Sequence, residues 1–157
     1  MPPATTQRLR FLIRVADKEA HHLAGTTDRL FDTPFTPERV ESLPTDPDIA
    51  ERVDAFVSRF DRLQDTLGDK LLPILLTALG ERAKAQIDNL DRAERLGLIP
   101  SADQWMEMRR LRNRMIREYV EDPVVLANAQ ETACRYVPVL INAAHKMKTE
   151  VEQRGWA

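Results

Sequence analysis

The stretch LANAQETACRYVPVLINAAHKMKTEV, residues 126–151, decides the fold. Leu126, Ala129, Ala133, Val137, Leu140, Ala144, Met147 and Val151 recur three and four apart, which sets one apolar stripe along an α-helix. A half-buried strand needs strict alternation, and this segment has none. Pro138 predicts a kink, because proline removes a backbone donor and crowds the preceding turn. Just upstream, Asp122-Pro123 reads as an N-cap followed by proline at the first helical position.

Working outward, the same spacing returns in each direction. Residues 101–120 predict a fourth helix, with Trp105, Met108, Leu111, Met115 and Tyr119 on its inner side. Gly97 and Pro100-Ser101 separate it from a shorter helix over 82–96, whose inner face is expected to carry Ile87 and Leu90. A long helix is marked by Ile49, Val53, Phe56, Val57, Phe60, Leu63 and Leu67, with a kink or a break expected where Gly68 and Pro73 interrupt. LLPILLTAL follows, apolar nearly all round and therefore central. The first helix covers about residues 7–31. The intervening DTPFTPERVESLPTDPD reads as a connector with poor helix prospects, since it holds four prolines. The chain thus predicts a single all-α domain over residues 1–157, an antiparallel bundle of four to five helices.

Composition agrees. Charged residues make up 31% and hydrophobic residues 43%, ordinary values for a soluble or helix-rich chain. The single cysteine, Cys134, excludes an internal disulfide and offers no metal-ligand spacing, so a reducing, cytoplasmic setting fits. No apolar run approaches the roughly 20 residues that span a bilayer. MPPATTQRLR lacks the apolar region of a secretory signal. A formal net charge of −2 provides no global attraction to nucleic acid, so any such binding is local. His21 and His22 are adjacent and point to different helix faces; with His145 they read as face residues, not metal ligands. Cys134 reads as a buried structural thiol. No Gly-rich phosphate loop or paired carboxylate motif marks a nucleotidyltransferase active site.

The local charge lies in RRLRNRMIREY, residues 109–119. Arg112 falls inside an apolar stripe, where an arginine is costly unless paired or reaching solvent at a groove. Arg109, Asn113 and Arg117 complete a polar cluster with it. The charge pattern alone favours a solvated face, ion-paired with Glu107, Glu118 and Glu121.

DQWMEMRRLRNRMIREYVEDP resembles the signature helix of the HEPN superfamily, and within it the HepT-like proteins and the substrate-binding partners of minimal nucleotidyltransferases. That signature is an Arg, usually followed by Asn or His, then four to six residues, a His, and a Tyr two further on. Arg112, Asn113 and Tyr119 match it, Trp105 and Asp122-Pro123 fit its flanks, and the likeness extends over about residues 50–145. The motif histidine is replaced by Arg117.

The resemblance implies a HEPN-like bundle of the nucleotidyltransferase substrate-binding type. It also implies a homodimer acting as the ribonuclease toxin of a bacterial type VII toxin–antitoxin pair, with RNA as substrate and neither metal nor cofactor. Arg112, Asn113 and position 117 would form the catalytic site, with Arg109 and Arg114 on RNA phosphate. A cognate minimal nucleotidyltransferase antitoxin would adenylylate Tyr119, a residue whose stripe position equally suits a core side chain. A histidine exchanges protons near neutrality, whereas arginine stays charged and can only hold phosphate. The chain as written is therefore expected to be inactive or attenuated. The alternative is a non-catalytic substrate-binding or regulatory partner of a minimal nucleotidyltransferase, and a third reading is a plain helical interaction domain.

Overall fold

A computed structural model describes residues 1–82, 84–117 and 122–157. Among them the chain forms α-helices throughout, with no strand: α1 (Pro3–Leu30), α2 (Pro37–Glu41), α3 (Pro47–Asp65), α4 (Leu72–Ala78), α5 (Gln86–Arg95), α6 (Ala102–Arg117) and α7 (Pro123–Gln153). A 3₁₀ turn occupies Leu43–Thr45, and a π-helical turn, Thr66–Leu71, joins α3 to α4. No helix among the described residues is long and apolar enough to cross a membrane.

The stripe of α7 is buried from Leu126 to Val151, as its spacing requires. The Asp122 side chain caps α7 by accepting from the Val124 and Val125 N–H groups, ahead of Pro123 in the first turn. α1 buries Leu9, Leu12, Ile13, Ala16, Ala20, Leu23 and Leu30 against α3 and α7. α6 packs on α7 and on α3, and α5 covers α6 and α4. The buried side chains form one contiguous core.

Three sequence expectations need correction. The proline-rich connector is partly helical, because three of its four prolines, Pro37, Pro44 and Pro47, sit in first turns, where a missing N–H costs nothing: Thr36 caps α2 and Asp46 caps α3. The kink or break expected at Gly68 and Pro73 takes the form of a π turn that carries α3 into α4, with Pro73 in the opening turn of α4. These short helices raise the number beyond four or five. Ile87 is 58% exposed, while Asn89, Leu90 and Ala93 form the buried face of α5. A ten-residue helix has too few apolar positions to fix its rotation by periodicity.

The π turn also meets α1. Thr66 Oγ1 donates to Glu19 at 2.6 Å, and burial raises the Glu19 carboxyl above the ordinary glutamate range despite that hydrogen bond. A raised carboxyl binds its proton more tightly folded than unfolded, so its stabilising contribution is full at low pH and is lost as pH rises through the folded pKa. Glu19→Gln is expected to raise the melting temperature at neutral pH and to leave it little changed near about pH 4. Equal shifts at both pH values would refute this account.

Candidate functional site

The basic helix is fixed at its start by neighbours and along its length by the core. Ser101 Oγ accepts from the Gln104 N–H at 3.1 Å, and Glu94 accepts from the Ala102 N–H at 2.8 Å. Trp105, Met108, Leu111 and Met115 are buried, the stripe that the sequence predicts. The remaining positions divide into two flanks, one against α3 and one against α7.

On the α3 flank the arginines are clamped. Asp61, Asp65 and Asp69 lie four residues apart along α3 and its π turn, and so make one row. Arg112 Nη1 reaches Asp61 Oδ1 at 2.7 Å as an ion pair without hydrogen-bond geometry, and donates to Asp65 Oδ1 at 3.0 Å. Arg109 Nη2 donates to Asp69 Oδ1 at 2.6 Å, and the Gln86 amide donates to the same oxygen. Burial raises the Asp65 carboxyl above the ordinary aspartate range, Asp61 adds repulsion, and Arg112 opposes both.

Close approach of the two elements depends on Gly68. A Cβ there would come within 3.0 Å of Arg109 Nη2 and 3.1 Å of Trp105 Nε1. Gln64 crosses the same seam, its amide donating to the Met108 carbonyl at 3.3 Å. Gln64 Oε1, Gln104 Oε1, Trp105 Nε1 and Arg109 Nε are buried without a hydrogen-bond partner among the described residues. The α3–α6 seam is therefore polar as well as packed.

The sequence-predicted residues are thus only partly brought together. Arg112 and Asn113 are adjacent, with Arg112 Nε donating to Asn113 Oδ1 at 3.4 Å, and Asn113 is exposed. Arg109 shares the acidic row with Arg112, whereas Arg114 is exposed on the α7 flank. Arg117 is the last residue of α6, with its side chain outside the described part. Tyr119, Glu118 and Glu121 lie outside the described residues. Among the described residues, no group of three or more His, Cys, Asp and Glu side chains is placed to hold a metal ion.

Sequence reasoning missed Asp61, Asp65 and Asp69. Their four-residue spacing was present in the chain, but nothing local links them to a helix 40 residues or more away. It also assigned Glu107 to an arginine, and among the described residues Glu107 makes no such ion pair; burial, together with the nearby Glu107 carboxylate, raises the Tyr136 hydroxyl above the usual tyrosine range. Cys134 is half-buried, and burial together with Glu131 raises its thiol.

A double-mutant cycle tests the clamp. Arg112→Leu with Asp65→Leu is expected to give a coupling of roughly 1 kcal/mol in urea unfolding, the upper end of what exposed pairs supply. Zero coupling would mark the contact as surface decoration.

No family model, curated protein or solved structure matches this chain.

Proposed function

We propose that the chain is a HepT-like HEPN protein of a bacterial toxin–antitoxin pair, cytoplasmic and dimeric, with a metal-independent ribonuclease site attenuated by arginine at position 117. The observation that carries the reading is α6 itself. Arg112 and Asn113 stand side by side on a helix anchored by buried Trp105, and Asp122-Pro123 caps the next helix. The all-helical architecture is compatible with that family.

Cleaving RNA without metal requires taking the ribose 2′-hydroxyl proton, stabilising charge on phosphorus and protonating the leaving oxygen. Arg112 can stabilise the charge, but arginine at position 117 cannot exchange the protons. One observation favours the second reading, a non-catalytic partner of a minimal nucleotidyltransferase: phosphate entering at Arg112 must compete with Asp61 and Asp65 for the guanidinium.

Both readings share a test. If a small nucleotidyltransferase is encoded beside this chain's gene, incubation with it and ATP is expected to add AMP at Tyr119, and sedimentation is expected to give a dimer. Modification at another residue refutes the adenylylation of Tyr119. The absence of such a neighbour, together with a monomer at micromolar concentration, overturns both readings in favour of a plain interaction domain.

A further inference from the structure

The second flank of α6 differs from the first in charge. Where Arg109 and Arg112 meet a row of carboxylates, Arg110 and Arg114 open onto a groove of about 290 Å³ between α6 and α7. The two arginines are exposed and one helical turn apart, roughly 6 Å along the axis. Facing them across the groove are Asn128 and Thr132 of α7, with buried Leu111 as floor.

The polar groups around the groove are already arranged. The Thr132 hydroxyl donates to the Asn128 carbonyl at 2.8 Å and accepts from Arg135 Nη2 at 3.2 Å, which fixes a third guanidinium at the rim. Glu107 also lines the groove and is the one carboxylate among its lining residues. Glu131, the acidic residue of α7 nearest in sequence, accepts from the Phe35 N–H at the α2 end of the molecule. Two arginines, a side-chain amide and an anchored third arginine therefore surround one open trough, in a chain whose net charge is −2.

We infer that the α6–α7 groove binds phosphate groups, with Arg110 and Arg114 as paired clamps, Asn128 as an amide donor and Arg135 at the rim. Guanidinium recognises phosphate bidentately, and an open trough suits a phosphate that remains part of a larger molecule. The inference deepens the reading above at Arg114, which the resemblance already puts on RNA phosphate, and extends it to Arg110, Asn128 and Arg135 on the opposite flank from Arg112, with no need of cleavage or a nucleotidyltransferase. The phosphate belongs either to a free nucleotide or to an RNA backbone, and the two sources are separable by experiment.

The experiment is fluorescence anisotropy of a labelled single-stranded RNA oligonucleotide with the full chain, across a salt series, with ATP and inorganic phosphate as competitors. With two to three phosphates held, log affinity is expected to fall against log salt with a slope of about −1.4 to −2.1. Arg110→Ala with Arg114→Ala should weaken binding at least about tenfold and flatten that slope. Arg14→Ala with Lys18→Ala removes the same charge from exposed positions of α1 and should change affinity less than about twofold. Displacement of RNA by millimolar ATP, lost in the Arg110 and Arg114 variant, assigns the groove to a nucleotide; binding of RNA without such displacement assigns it to the backbone. Equal losses in the two double variants, or no binding of RNA, ATP or phosphate by the unaltered chain, would overturn the inference. Circular dichroism melts of both variants verify that the loss is not unfolding. The cleavage and adenylylation assays read neither arm, so the groove and the toxin reading can fail separately.

Discussion

With Arg117→His in place, the chain is expected to cleave RNA roughly 10²- to 10⁴-fold faster than the unaltered protein, the range that a positioned acid–base group contributes. The reason is proton chemistry alone. A histidine of ordinary pKa, about 6.5, carries both protonation states near neutrality, while a guanidinium has one. The gain should appear in a gel assay of metal-independent cleavage and as growth arrest on expression in a bacterial host. Chelator should leave it intact, because the proposed proton transfer and phosphate contact are made by side chains alone. Adding Arg112→Ala should remove both effects, because charge on the phosphate then has no guanidinium opposite it. If Arg117→His remains inert and harmless, the ribonuclease reading falls and the nucleotidyltransferase-partner reading takes its place. If the unaltered chain already cuts RNA efficiently, the proton argument is wrong.

The largest stability effect is expected at Trp105. Its side chain is 1% exposed and packs where Gly68 lets α3 and α6 close on each other. Trp105→Ala removes most of an indole from a site lined by rigid helices, so relaxation fills little of the space, and the expected cost is about 3–5 kcal/mol in urea unfolding. Against the roughly 5–15 kcal/mol of a typical domain, that is about a fifth of the total at the least. Trp105→Phe keeps much of the volume and deletes an indole N–H that has no described partner, so its cost should stay below about 1.5 kcal/mol. Similar losses for the two substitutions would show that the indole nitrogen, not the packing, holds the seam.

The apolar half of this architecture was readable because periodicity is a local property. Each member of the α7 stripe and the Trp105–Met108–Leu111–Met115 stripe of α6 is buried where its spacing puts it. Ile87 was misjudged because an isoleucine on a short helix satisfies a stripe equally well one position off the covered face. The ionic half was hidden for a different reason. Arg112 occupies an apolar stripe, which correctly marks it as needing a partner, but its partners are Asp61 and Asp65, 47 to 51 positions earlier in the chain. Charge patterns report local pairing, and Glu107, the described glutamate near Arg112 in sequence, is not among its ion-pair partners. The opposite flank was hidden because Asn128 and Thr132 are common helix residues with no signal of their own until α7 brings them to Arg110 and Arg114.

The π turn at Thr66–Leu71 has a consequence for how this chain can vary in length. Along a regular α-helix a step of four residues advances about 40° around the axis, so a row at 61, 65 and 69 would drift steadily off its target. A wider turn holds more residues and swings Asp69 back toward the line of Asp61 and Asp65, under Arg109. Such a turn amounts to one residue inserted into a helix. Deleting Lys70 should restore a regular helix, leave everything after it near its present register, and take away the swing that carries Asp69 to Arg109. Homologous chains should therefore show these traits as a block: those with the extra position keep glycine at 68, an acid at 69 and arginine at 109, and those with a gap there are free to lose all three.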